Sequence, residues 1–156
     1  MSTTDDRADS ERQRAIELVE EAIRKLGIDP AEARAPGGGA YALRRGSARI
    51  AVAIHGAVSA AEGVSEREGT LRVAAPVVKL PQEATRGALF EHLLELNARE
   101  LIGASFGVLA GEVVVVSERS LRDLDASEVD AAIRAIGRLA DKWDDELATR
   151  FGAPRL

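Results

Sequence analysis

The chain has 156 residues, of which 46% are hydrophobic, 30% charged and 3% aromatic, and its 21 basic and 26 acidic side chains leave a net charge of −5. This describes one soluble domain that buries roughly two-thirds of its unfolded surface and needs no cross-links to hold a core. The absence of Cys excludes disulfides, Cys-ligated zinc, iron–sulfur clusters and thiol catalysis. The acidic balance argues against a dedicated nucleic-acid binder, and no apolar run approaches the ~18 residues of a membrane span.

Residues 1–9 carry Asp5, Asp6 and Asp9 and almost no apolar side chain, so they read as a frayed tail that buries too little to offset its ordering entropy. They do not form a basic region followed by an apolar stretch, so no secretory signal is visible and the cytoplasm is the default location. Ser10-x-x-Gln13 fits a capping box, and Ile16, Leu18, Val19, Ala22, Ile23 and Leu26 follow at helical spacing up to Gly27. A first helix is predicted over about 11–26. Residues 29–39, punctuated by Pro30, Pro36 and Gly37-Gly38-Gly39, read as a connector.

Alternation from Ala48 to Ile54, with Tyr41–Leu43 before it, predicts a hairpin over Tyr41–Val58 turning near Arg45-Gly46. Residues 59–69 read as a polar loop. Leu71, Val73, Ala75 and Val77 alternate in a third strand, whose end Pro76 places at an edge or a bulge. A second long helix runs from Glu83 to about Glu100 and is broken by Gly103. Ala104–Val108 and Val113–Val116 form two more strands around an Ala110-Gly111 turn, the valine run implying burial on both faces. Asp125-x-x-Glu128 opens a third long helix with Val129, Ile133, Ile136, Leu139, Ala140, Trp143, Leu147 and Phe151 on one stripe, closed by Gly152 and Pro154.

The expected fold class is therefore α+β, an antiparallel five-stranded sheet with helices in the order α-β-β-β-α-β-β-α. One domain spans 10–152, between the tail 1–9 and a C-terminal tail 153–156.

The two later helices differ in the width of their apolar arc. At ~100° per residue the third helix shows an arc of about 120°, the width of a helix lying on one sheet. The second, from Leu96 through Leu89 and Leu93 to Leu94, spans about 160°. The surplus suggests a second apolar neighbour, either the first helix or a partner chain. Leu89, Leu93 and Leu96 are the candidate interface residues, joined by Ala51 and Ala53, small side chains on the outward side of the second strand that would let another layer pack closely. Full enclosure of Leu89, Leu93 and Leu96 by their own polypeptide would remove the case for a mate on that surface. A Leu93→Asp change separates the cases, dissociating a dimer or unfolding the domain.

No constellation carries chemistry. His55 and His92 belong to no spaced ligand set. Gly46-Ser47-Ala48 lacks the second glycine of a nucleophile elbow, and the run Gly37–Gly39 precedes a strand rather than the helix N-terminus a phosphate cradle needs. No catalytic, cofactor-binding or metal-ligating residue is assigned, no cofactor is implied and no enzymatic activity is expected. Asn97 falls inside the apolar arc of the second helix, so its amide must be hydrogen-bonded; a tie to backbone at a strand edge is the expected use.

Leu43-Arg44-Arg45-Gly46-Ser47-Ala48, APVVKLP at 75–81, LFEHLLELN at 89–97, FGVLAGEVVVVSERSL at 106–121 and LDASEVDAAI at 124–133 together resemble the YbjN-like family of bacterial proteins, which is labelled a sensory transduction regulator. That family is similar in fold to the chaperones of type III secretion systems. The resemblance covers about residues 12–152 and rests on core and turn positions, so it speaks to fold more than to mechanism. It implies the same element order, a homodimer and a non-enzymatic, chaperone-like or regulatory role in binding an unidentified client protein, with no nucleic acid and no membrane. In the secretion chaperones the second helix builds much of the dimer seam and sheet surfaces hold extended client segments. The alternative is a small-ligand sensor with a pocket between sheet and helices.

Overall fold

The computed structural model describes residues 3–58 and 67–156. The elements are α1 (Thr3–Lys25), α2 (Pro30–Ala33), β1 (Ala40–Arg45), β2 (Ala48–His55), β3 (Thr70–Lys79), α3 (Glu83–Arg99), β4 (Ser105–Leu109), β5 (Glu112–Ser120) and α4 (Ala126–Phe151). Apart from the one-turn α2, this is the expected order. The strands form one antiparallel sheet ordered β1-β2-β3-β5-β4.

The chain divides into two compact units, one of Met1–Leu43, Ala51–Arg72 and Glu118–Ala132, the other of Arg44–Ile50, Val73–Ser117 and Ile133–Leu156. In the first, Val19, Ala22 and Ile23 from α1 are buried, as are Tyr41, Leu43, Val52, Ile54 and Leu71 from the strands and Leu121, Leu124 and Val129. Alternating burial along β2 follows from the two-residue period of a strand. Tyr41 donates its hydroxyl to Glu20 at 2.9 Å, and Arg34 binds the same carboxylate oxygen at 2.7 Å, tying the connector to α1. Asp29 caps α2 by accepting from the Ala31 N–H at 2.9 Å, with Pro30 at its first turn.

The first helix begins seven residues before Ser10, so the described part of the expected frayed tail is helical. An Arg7–Glu11 pair at 3.1 Å supports this turn, and Asp6 and Asp9 lie near the N-terminal end, where negative charge complements the macrodipole. Ser10 is thus inside the helix, and Gln13 donates to Glu17 at 3.5 Å rather than closing a capping box. The expected loop at 59–69 lies mostly outside the described residues; Val58 and Arg67, at its two ends, exchange both backbone hydrogen bonds at 2.8 Å.

In the second unit, Leu109 pairs with Glu112 around Ala110-Gly111, whose φ values of 50° and 80° give the twist a two-residue hairpin needs. Val113, Val114 and Val115 are all buried, as expected of an inner strand. The strand order makes β3 the central strand of the sheet, whereas Pro76 led to the expectation of an edge or a bulge at its end. Pro76 stands three residues before the end of β3, where its missing N–H removes at most one ladder bond.

The apolar stripe of α4 is buried from Ile133 to Phe151 except at Leu139, which is half-buried at its margin. At its start, in the first unit, Asp125 and Glu128 exchange the two bonds of a capping box at 2.9 and 3.1 Å. The C-terminus is not a free tail: Ala153 is buried and the Lys79 N–H donates to the Pro154 carbonyl at 2.9 Å. The domain therefore extends past 152.

Candidate interaction surfaces

Helix α3 has no continuous good helix-capping chemistry at its start, since Gln82 makes no side-chain cap; packing of its apolar stripe holds it in place. Leu89, Leu93 and Leu96 form that stripe and are 0%, 4% and 4% exposed. They belong to the core of their own chain. This corrects their assignment as interface residues, and with it the argument that the arc of α3 exceeds what its own fold hides at these positions. Spaced at i, i+4 and i+7, the three stand one above another on a narrow line. The extra width of the arc came from Leu94, which points elsewhere and is 66% exposed.

Leu94 is joined in the same unit by other large apolar side chains in water: Ile102 at 97%, Leu109 at 59% and Val108 at 48%. Residue 102 lies between α3 and β4, and 108 and 109 end the edge strand β4. Single exposed leucines are ordinary on a protein surface, but four from one helix–strand pair are a concentration.

Asn97 sets what this strand edge can do. Its Nδ2 donates to the Phe106 carbonyl at 3.1 Å and its Oδ1 accepts from the Phe106 N–H at 2.7 Å. One side chain thus satisfies both backbone groups that Phe106 turns away from β5, as the expectation of a tie at a strand edge required. Alternation along a strand turns the backbone groups of Val108 to the same outer side, and among the described residues no hydrogen bond meets them. The first half of the β4 edge is closed by α3 and its second half is open. Behind it, Phe106 meets Trp143 edge to face at 6.0 Å, and His92 sits 5.4 Å from Phe151 and 6.1 Å from Trp143.

Ala51 is exposed and Ala53 half-buried on the outward side of β2, in the first unit. Arg49 is exposed on the same side. His55, on the same strand, is exposed; His92 is half-buried on α3. They fall in different units, and among the described residues no group of three or more His, Asp or Glu could hold a metal ion. No described helix is long and apolar enough to cross a membrane.

The hairpin turn Arg44–Ser47 docks on α4. Ser47 donates to Asp141 at 2.7 Å, and Gly46, at φ 59°, lies so close that a Cβ there would stand 3.0 Å from the same carboxylate. The positive φ favours glycine here, and a Cβ would make the Asp141 carboxylate shift.

A family model for YbjN, described as "Putative bacterial sensory transduction regulator", matches residues 15–149. No curated protein matches the chain. Solved structures share the fold at low identity. A chain of the HopA1–SchA chaperone–effector complex superposes with a TM-score of 0.57 at 11% identity, covering 83% of this chain and 91% of that one. For the heterodimeric ExoU–SpcU complex from the type III secretion system of Pseudomonas aeruginosa the values are 0.55, 12%, 81% and 94%. For the Yersinia pestis type III secretion chaperone SycH in complex with a stable fragment of YscM2 they are 0.54, 14%, 82% and 98%.

Proposed function

This chain belongs to the YbjN family, and from that premise we propose that it is a non-enzymatic protein-binding module, acting as a homodimer that holds a segment of a client protein. The observation that carries the reading is the exposure of four large apolar side chains on and between α3 and β4, Leu94, Ile102, Val108 and Leu109, in the unit whose edge strand β4 is half open. Pairing of two copies here removes apolar surface from water at about 25 cal/mol per Å² and can complete the backbone bonds of Val108. The outward side of β2 is a second, separate surface. Ala51 and Ala53 allow an extended segment to approach the backbone closely, with its alternate side chains turned toward or away from the sheet. Solved structures with this fold include a chaperone–effector complex and a type III secretion chaperone bound to a fragment of YscM2, which supports a protein as the partner.

Sedimentation of the purified protein tests the dimer. Wild type is expected at 2 × 16.6 = 33.2 kDa. Leu94→Asp is expected to sediment as a folded monomer, and Leu93→Asp to unfold, because it forces a carboxylate into the core. A wild-type monomer at tens of micromolar, or a dimer untouched by Leu94→Asp, would overturn the assignment of this surface.

A further inference from the structure

In the first unit, a half-open groove of about 850 Å³ runs along the glycine loop Gly37–Gly39, the end of β2 and the start of β3. Three arginines line it, Arg12 from α1, Arg67 and Arg72, together with His55. The two acids on its walls are already engaged: Glu118 pairs with Arg72 at 3.1 Å, and Glu68 with Arg122 at 2.9 Å. Among the described residues neither Arg12 nor Arg67 has a carboxylate within ion-pair distance. Two guanidinium groups without a carboxylate partner among the described residues thus share one concavity on a chain whose net charge is −5.

The glycine loop holds one of them in place. Arg12 Nη2 donates to the Gly38 carbonyl at 3.1 Å, and a Cβ at Gly39 would stand 3.1 Å from the same nitrogen. All three glycines have φ between 69° and 106°, a region other residues enter only with strain. The loop is therefore shaped to let the guanidinium lie against backbone. One of its five donors is used, and four remain.

We propose that this groove binds a small polyanion, a molecule with two or more carboxylate or phosphate groups, gripped by Arg12 and Arg67. A guanidinium presents paired N–H donors that match both groups in bidentate fashion, and about 300–1,000 Å³ is the size range of small-molecule sites. A strand cannot add to the β1 edge at Ala40–Tyr41 beside the groove, because the Ala35 N–H donates to the Ala40 carbonyl at 2.8 Å and Arg34 bridges Tyr41. Ala53, on the outward side of β2, also lines the groove, so the site borders the proposed client surface; Arg67→Glu leaves Ala51 and Ala53 in place, so the two readings fail separately.

Calorimetric titration of the full chain with citrate and, separately, with pyrophosphate tests it. Binding of either is expected, the tighter one identifying the group as carboxylate or phosphate. The affinity should fall at least about tenfold in Arg67→Glu, whose side chain has no carboxylate partner among the described residues, and also in Arg12→Gln, with circular dichroism unchanged in Arg67→Glu. It should also weaken as salt is raised. No heat from either anion, or binding that survives Arg67→Glu undiminished, would overturn the proposal.

Discussion

Glu20 is the acceptor at the centre of a three-residue tie. Arg34 reaches its Oε1 with both Nη2, at 2.7 Å, and Nε, at 3.2 Å, while Tyr41 donates its hydroxyl at 2.9 Å. The hydrogen bond from Arg34 foremost, then that from Tyr41, holds the carboxyl below the ordinary glutamate value of 4.5, against desolvation that pushes the other way. Burial in turn pushes the Tyr41 hydroxyl up, which keeps it a donor. A depressed carboxylate contributes stability that is present above its unfolded value of 4.5 and disappears as pH falls through the lower folded one. Glu20→Gln should therefore be less stable than wild type near neutral pH, and the gap should close below about pH 4.5. Denaturant melts of both proteins across pH 2.5–7 read this directly; a gap of constant size would contradict it. The sequence showed Tyr41 and Glu20 as ordinary members of a strand and a helix. Their link, with Arg34 between them, joins positions 21 residues apart, which no local spacing reveals.

At the scale of elements, Asn97 was legible and the leucines around it were misleading, for one reason. A buried amide must find partners whatever packs on it, so its place in the apolar arc was informative by itself. The width of an arc shows how much apolar surface a helix carries, not which residues a neighbour covers. Leu93 and Leu94 are adjacent in sequence, yet one is 4% and the other 66% exposed. The capping box at Asp125 formed as read, while the one at Ser10 did not, because helix continues in front of it. Charge pairs and acidic residues can extend a helix without any apolar signal to mark it. The role of Asn97 gives a graded test. Asn97→Ala leaves the N–H and carbonyl of Phe106 unpaired and should cost about 2–3 kcal/mol. Asn97→Asp keeps the acceptor for the Phe106 N–H, loses the donor, and should cost less. Urea melts rank the two, and equal losses would show that the helix, rather than the amide, holds this edge.

On the scale of the whole molecule, the α+β class and the order of its long elements were readable because periodicity marks them and the turns carry Gly or Pro at the right places. The groove was not, since Arg12, Arg67 and Arg72 are brought together only by the fold. The closed C-terminus was missed because one buried alanine and one backbone bond leave no pattern. The central claim is that this chain holds other proteins, with the outward side of β2 receiving the client. A photo-crosslinking side chain introduced at Ala51, with Thr149 on α4 as an exposed control, tests it in native lysate. The account predicts discrete protein adducts at position 51 that are absent at 149 and are lost when Ala53 is changed to Arg. The same adducts from both positions, or none from position 51, would contradict it.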